Sequence, residues 1–518
     1  MSLKNSFLVA LTMFLMVSCS NSNETEEKPN IIVFMVDDMG WQDTSVPFWI
    51  ERTAFNEIYE TPNMERLAAK GIKFTQAYAT PVCSPTRVSL ISGMNAARHR
   101  VTSWTLRRDT DMVRPPKELV LPQWHVNGAQ PTDSIPHSVH ITPLPQILKD
   151  NGYYTIHTGK AHFGALTTPG EEPLNLGFDV NIAGHAAGAP GSYYGTNSFH
   201  NKNRSANIWD VPGLDEYHGK DIYLTEALTQ KSIKALDVVL ESGKPFYLYM
   251  SHYAVHTPIQ GDSRFEQKYL DKGLLPVEAK YASMVEGMDK SLGDLMDYLE
   301  ERQIEDNTVI LFMSDNGGLS AVARGGERHT HNKPLSSGKG SMHEGGIREP
   351  MLVYHPGIET EQKETDQKVI IEDFFPTILE IANIDNYEAI QKVDGKSFIP
   401  ILKGKQMNDD RPLVWHFPNH WGPSGPGIGA SSTIRKGEFK LIYYHLDQSF
   451  ELFNITEDIG ETNNLFEVQP NKAWELAMEL SNYLKSVDAQ MPTYSETGKQ
   501  VPWPDESLSN KENTDEAN

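Results

Sequence analysis

Two apolar runs end in the same way, and that shared ending constrains the fold of the 518-residue chain more than any other feature. Asn30 to Val36, NIIVFMV, leads into DDMG, and residues 308–313, TVILFM, lead into SDNGG. A run of strand length that is apolar at nearly every position suits a strand buried on both faces, as in a parallel sheet covered by helices. Two more strand-like runs, in YYTIHTGKAH and KPFYLYMSHYAVHTP, lie between them and lead into Lys and His. Helical stretches intervene at 63–70 and 278–302, with apolar residues near 3.6 spacing. The alternation predicts an α/β fold: a large mixed, mostly parallel sheet sandwiched by helices, with functional residues at the carboxyl ends of its strands.

Around residue 405 the texture changes. STIRKGEFKLIYYH and QSFELFNITED read as antiparallel strands, and residues 470–490 as one helix with Trp474, Ala477, Leu480, Leu484 and Val487 on a stripe. The expected organisation is a main domain over 30–405, a smaller C-terminal α+β subdomain over 406–490 and a loosely ordered tail over 491–518. Upstream, Lys4, the apolar run 7–17 and Ser18-Cys19 read as a signal segment too short to span a bilayer comfortably. LMVSCSNSNETEE resembles a bacterial lipoprotein signal, in which 1–18 is removed, Cys19 is acylated and 19–29 forms a flexible tether. The alternative is ordinary secretion with cleavage nearby. Lipidation would make the protein an exported, membrane-anchored lipoprotein at the periplasmic or cell surface of a bacterium, touching the membrane through its lipid alone. The balance of 46 basic against 69 acidic residues, a net −23, argues against a nucleic-acid partner. An anionic substrate would have to be drawn by a few positive groups gathered in one pocket.

Asp37 and Asp38 follow one apolar run, Asp315 and Asn316 the other. Four oxygen-bearing side chains at two strand tips could converge on a hard cation, Ca²⁺ or Mg²⁺, whereas each pair alone is more often a turn or cap. Cys83 is one of two cysteines, and with Cys19 given to lipid it has no disulfide partner. Pro85 suits the first turn of a helix beginning near Ser84, with Arg87 one turn beyond Cys83 and Val88, Leu90 and Ile91 continuing it to Gly93. The positive end of such a helix favours an anion and would equally lower the pKa of a thiol. A buried spectator, a nucleophilic thiol and a modified residue all remain open on these grounds.

CSPTR resembles the Cys-x-Pro-x-Arg signature of the type I, formylglycine-dependent sulfatases of the alkaline-phosphatase-like superfamily. IIVFMVDDMGW, TPNMERLAAKGIKFTQAYAT, GYYTIHTGKAH, VHTP, LFMSDNGG, GKGSMHEGGIREP, EDFFPTILEIA and ELFNITEDIGETNNL are similar to other stretches of that family, and they occur in family order. The resemblance implies that Cys83 is oxidised to formylglycine by a maturation enzyme and that its hydrated aldehyde attacks sulfur. It implies Asp37, Asp38, Asp315 and Asn316 as ligands of one calcium ion, and Arg87 as the residue that holds the diol. Lys160, His162, His256 and Lys339 match the remaining pocket positions, with His256 and Lys339 expected to protonate the leaving alcohol and His162 to act as base. Ala161 and His343 stand where the family more often has aromatic residues.

The expected substrate is a sulfated carbohydrate, attacked from the chain end, with a leaning to 4-O-sulfated galactose or N-acetylgalactosamine. WHFPNHWG, residues 415–422, offers His416, His420 and Trp421 as sugar contacts, and Trp104 is a further candidate; packing is the competing reading of that segment. The rival functions are a phosphate or phosphonate ester hydrolase of the same superfamily and a non-catalytic glycan-binding lipoprotein.

Overall fold

The computed structural model describes residues 28–114, 116–201, 208–407 and 410–515, with side chains to residue 510. The signal segment, Cys19 and nearly all of the expected tether lie outside the described residues. Asn30–Val36 forms a strand with all seven residues buried. Ile31, Val33 and Met35 enter one core layer, and Ile32, Phe34 and Val36 enter the other. That split is the two-sided burial expected of a central parallel strand. The sheet runs Glu364–Thr365, Ile72–Tyr78, Arg348–Tyr354, Thr308–Ser314, Asn30–Val36, Phe246–Ser251, Tyr154–Gly159, Val180–Ile182, with Val369–Ile370 also on Ile72–Tyr78. Arg348–Tyr354 runs antiparallel to both neighbours and the other pairings are parallel, so the sheet is mixed and mostly parallel.

Register positions the site. Asn30 pairs with Thr308 and the ladder continues in step to Val36 with Ser314. The residues that follow, Asp37-Asp38 and Asp315-Asn316, therefore emerge side by side at one edge of the sheet. One face is covered by Leu224–Ser242 and by the 26-residue helix Pro276–Glu301, two residues longer at its start than expected because Pro276 takes the N1 position. The other is covered in part by Cys83–Ser92 and Phe374–Ile381. Cys83–Ser92 is buried at all ten positions and ends at Gly93, so it carries no solvent face.

Four antiparallel strands, Leu413–Phe417, Ser431–Lys436, Phe439–Tyr444 and Phe450–Asn454, form the C-terminal sheet. Helix Pro470–Ser486 packs Leu476, Leu480 and Leu484 on Ile434, Leu441 and Leu452. Trp474 of the expected stripe is only half-buried, and the helix ends at Ser486 rather than Gln490. The other face joins the main core through Trp415, Phe417, Ile442 and Phe453. The joint is also ionic. Buried Lys440 Nζ lies 2.5 Å from Glu461 and 3.0 Å from Glu344, while Arg348 and Arg435 reach Glu344 at 3.2 and 3.3 Å.

Residues 491–515 depart from the loosely ordered tail expected. Thr493–Tyr494 pairs with Leu119–Val120, and Pro504–Asp515 is a helix with Leu508 buried, next to buried Val501. A few apolar anchors in a Pro-, Ser- and Glu-rich stretch suffice to dock it, without producing a periodic pattern.

Candidate active site

The two strand tips gather three buried carboxylates and three buried cations. Lys160 Nζ lies 2.7 Å from Asp37 Oδ2, and Lys339 Nζ lies 2.5 Å from Asp38 Oδ1. Arg87 donates from Nε at 3.0 Å and Nη2 at 2.8 Å to Asp315 Oδ2. Its Nη1 donates to the Lys160 carbonyl at 2.8 Å and to Ser251 Oγ at 2.5 Å. Asn316 Nδ2 donates to Asp38 Oδ1 at 2.8 Å. Lys160 reaches this position because Gly159 has φ +89 at the strand end; a Cβ there would stand 1.9 Å from the Ser251 carbonyl.

After these contacts, Asp37 Oδ1, Asp38 Oδ2 and Asn316 Oδ1 remain buried with no hydrogen-bond partner. Burial, then Asp315, pushes Asp37 well above the usual carboxylate range. Burial opposes the charge of Asp38 too, but Lys339, His256 and Lys160 prevail and hold it below that range. Three unmatched oxygens among crowded carboxylates make a donor set that fits a hard divalent cation. Asp37, Asp38 and His256 bring ligand atoms within 4.8 Å of one another, as do Asp37, Cys83 and Asp315.

Cys83 is the first residue of its helix and lies beside this cluster. Burial pushes its thiol up, with Lys160 and Lys339 only partly opposing the rise, so the helix start does not make it a thiolate. His162 Nε2 lies 2.8 Å from the Thr105 carbonyl and 3.1 Å from Ser84 Oγ. Donation to the carbonyl sets the tautomer and leaves Nδ1 buried and unpartnered. Burial, then Lys160 and Arg87, lowers the His162 pKa well below its ordinary value, so the ring is neutral. His256 Nδ1 lies 2.8 Å from the Thr257 carbonyl, with Nε2 3.7 Å from Asp38 Oδ2.

Cys83, His162, His256 and Lys339 line a cavity of about 480 Å³ whose other walls include Trp104, Trp209 and Trp421. The structure thus brings together all ten expected catalytic and metal positions. The expected sugar contacts divide. Trp104 and Trp421 line the cavity; His416 does not, because it sits in the Leu413–Phe417 strand with its ring between Ser432 Oγ and the Gln490 carbonyl. Trp415 likewise donates to the Ala79 carbonyl, and His420 is absent from the lining. Ser84, Thr105 and Ser251 were missed as supports of His162 and Arg87, although Ser84 lies inside CSPTR. Glu349 was missed as well: it is fully buried, and neither carboxylate oxygen has a partner.

The "Sulfatase" family model matches residues 29–384, and that for "N-sulphoglucosamine sulphohydrolase, C-terminal" matches 337–490. A protein of Formosa agariphila named "Sulfatase" is 30% identical over 95% of each chain. Human N-acetylgalactosamine-6-sulfatase is 32% identical over 75% of this chain and 68% of its own. The crystal structure of Ps i-CgsB, 26% identical, superposes with a TM-score of 0.69 over 94% of this chain and 96% of that one; it has also been solved in complex with k-i-k-neocarrahexaose.

Proposed function

The chain belongs to the sulfatase family, a family of sulfuric ester hydrolases, and we propose that it removes an O-sulfate from a carbohydrate, using a formylglycine made from Cys83 and one calcium ion. The observation that carries this reading is the meeting of Cys83, five positive or imidazole-bearing side chains (Arg87, Lys160, His162, His256 and Lys339) and three unpartnered oxygens at the floor of one cavity. Asp37, Asp38, Asp315 and Asn316 would hold the ion. When bound, calcium would set positive charge against the ester oxygens, and the hydrated aldehyde at position 83 would supply the hydroxyl that attacks sulfur.

The chain's own side chains do the rest. Arg87 spends four of its five N–H groups on Asp315, Ser251 and the Lys160 carbonyl, which fixes the floor and leaves one for residue 83. His162 Nδ1, neutral and without a partner, is free to take a proton from a hydroxyl at position 83. Lys339 Nζ and His256 Nε2 flank Asp38 on the cavity floor, where they can hold or pass a proton to the leaving oxygen. The buried cations offset the negative charge that builds on that oxygen.

A cavity of about 480 Å³ has room for a sugar ring above residue 83, and attack at the chain end is part of the same reading. The named activity of the human relative supports a galactosamine-type sugar and weighs toward the 6-position rather than 4-O. The proposal includes export and acylation of Cys19, with a formylglycine-generating enzyme as the maturation partner.

Peptide mass spectrometry of natively expressed protein should find aldehyde at position 83, and purified protein should desulfate a 4-O/6-O sugar panel well ahead of phosphate esters with the same leaving groups. Unmodified Cys83 throughout an active preparation would sink the mechanism.

A further inference from the structure

One cavity wall is built by the C-terminal subdomain. Trp421 lies in the connection between Leu413–Phe417 and Ser431–Lys436, half-buried and packed against the main core. Its ring centre stands 5.5 Å from Lys339 Nζ. The next residue after that lysine, Gly340, has φ +86, and a Cβ there would come within 2.2 Å of Trp421 Cδ1. The absence of a side chain at position 340 thus lets the indole lie against the backbone that carries Lys339. Trp104 lines the same cavity. A site meant for inorganic anions alone would be walled by further cations, whereas indoles suit a neutral ring with an apolar C–H face.

We propose that Trp421 is the stacking wall for the leaving sugar, so that the C-terminal subdomain selects which alcohol's sulfate ester is hydrolysed. The sugar's C–H face lies on the indole while its sulfate points to residue 83. This rests on the sulfatase reading of the cavity floor, and it places the specificity of the site on a segment distant in sequence from Cys83.

The test compares wild-type, Trp421→Ala and Trp421→Phe enzymes on a sulfated N-acetylgalactosamine, with inorganic sulfate and the desulfated sugar as product inhibitors. Losing one stacked ring face is expected to cost about tenfold in sugar affinity. Trp421→Ala should therefore raise KM about tenfold, more than it lowers kcat, and weaken inhibition by the desulfated sugar to the same extent. Inhibition by inorganic sulfate should stay at the wild-type level, and Trp421→Phe should recover most of the loss. Unchanged KM and sugar inhibition in Trp421→Ala would overturn the assignment, as would equal weakening of sulfate and sugar, which would make Trp421 a support for Lys339 instead. If matured wild-type enzyme releases no sulfate from any sugar sulfate tested, the sulfatase reading beneath the assignment falls with it.

Discussion

Stripping the protein with EDTA and returning calcium should raise its melting temperature, and Asn316→Ala should blunt the rise. Asp37 Oδ1, Asp38 Oδ2 and Asn316 Oδ1 are buried acceptors with nothing to accept from. Each such group costs roughly 1–3 kcal/mol, so the three together hold about 3–9 kcal/mol that a cation would relieve. A ligand bound only by the folded state adds about 4.1 kcal/mol when present at a thousand times its Kd. Asn316→Ala deletes one ligand oxygen together with the 2.8 Å donation that orients Asp38 Oδ1. A loss of ten- to a hundredfold in affinity then lowers the gain by about 1.4–2.7 kcal/mol, leaving roughly half of it. The measurement is a calorimetric calcium titration of both proteins in a Cys83→Ala background, so that no result depends on maturation of the cysteine. A parent protein indifferent to calcium would refute the assignment of these oxygens, as would a variant that gains as much as its parent.

Lys440→Met should be strongly destabilising, because it leaves Glu344 and Glu461 buried without the ammonium they share. The expected loss in urea unfolding is about 3–5 kcal/mol, and a change below about 1 kcal/mol would show that the cluster does not hold the subdomain on. Glu372→Gln should change the pH dependence of stability. Burial, then Asp373, pushes the Glu372 carboxyl up to about 8, while Asn95 Nδ2 donates to its Oε1 at 2.8 Å. The folded chain therefore keeps a proton that the unfolded chain releases above about 4.3, and stability falls as pH rises from there to about 8. The glutamine stays neutral and keeps the Asn95 bond, so its melting temperature should fall less between pH 5 and 9; parallel profiles would count against the raised carboxyl.

The strand tips were legible in the sequence because a run apolar at nearly every position admits few surroundings, and two such runs ending alike place their acids together once they pair in step. The chemistry proposed for Cys83 rests on a resemblance, since a helix start beside a thiol is compatible with an anion site, a nucleophile or neither. WHFPNHWG divided where the ladder ends: Trp415 and His416 sit inside a strand and are consumed by packing, whereas Trp421 lies past it and reaches the cavity. Pro418 and Asn419 mark that boundary, but Trp and His stand on both sides of it, so residue type alone does not say which rings reach the cavity. The supports of the site escaped for a related reason. Ser251 meets Arg87 across 164 positions and Thr105 meets His162 across 57, contacts fixed by sheet register and loop path rather than by local pattern. Docking of the 491–515 stretch turns on Met491, Val501 and Leu508, too few residues to make a period.

The strand Asn30–Val36 also sets a distance. Tyr153 Oη donates to the Pro29 carbonyl at 2.9 Å and fastens the chain just before the strand's first residue, and its last residue leads straight into the carboxylate cluster. Seven residues at about 3.3 Å each set the point of entry roughly 23 Å behind the reaction centre. A tether on the N-terminal side, as an acylated Cys19 would provide, would then join the protein at the end away from its cavity. Chain ends of a polymer too large to slip between protein and membrane would still be within its grasp.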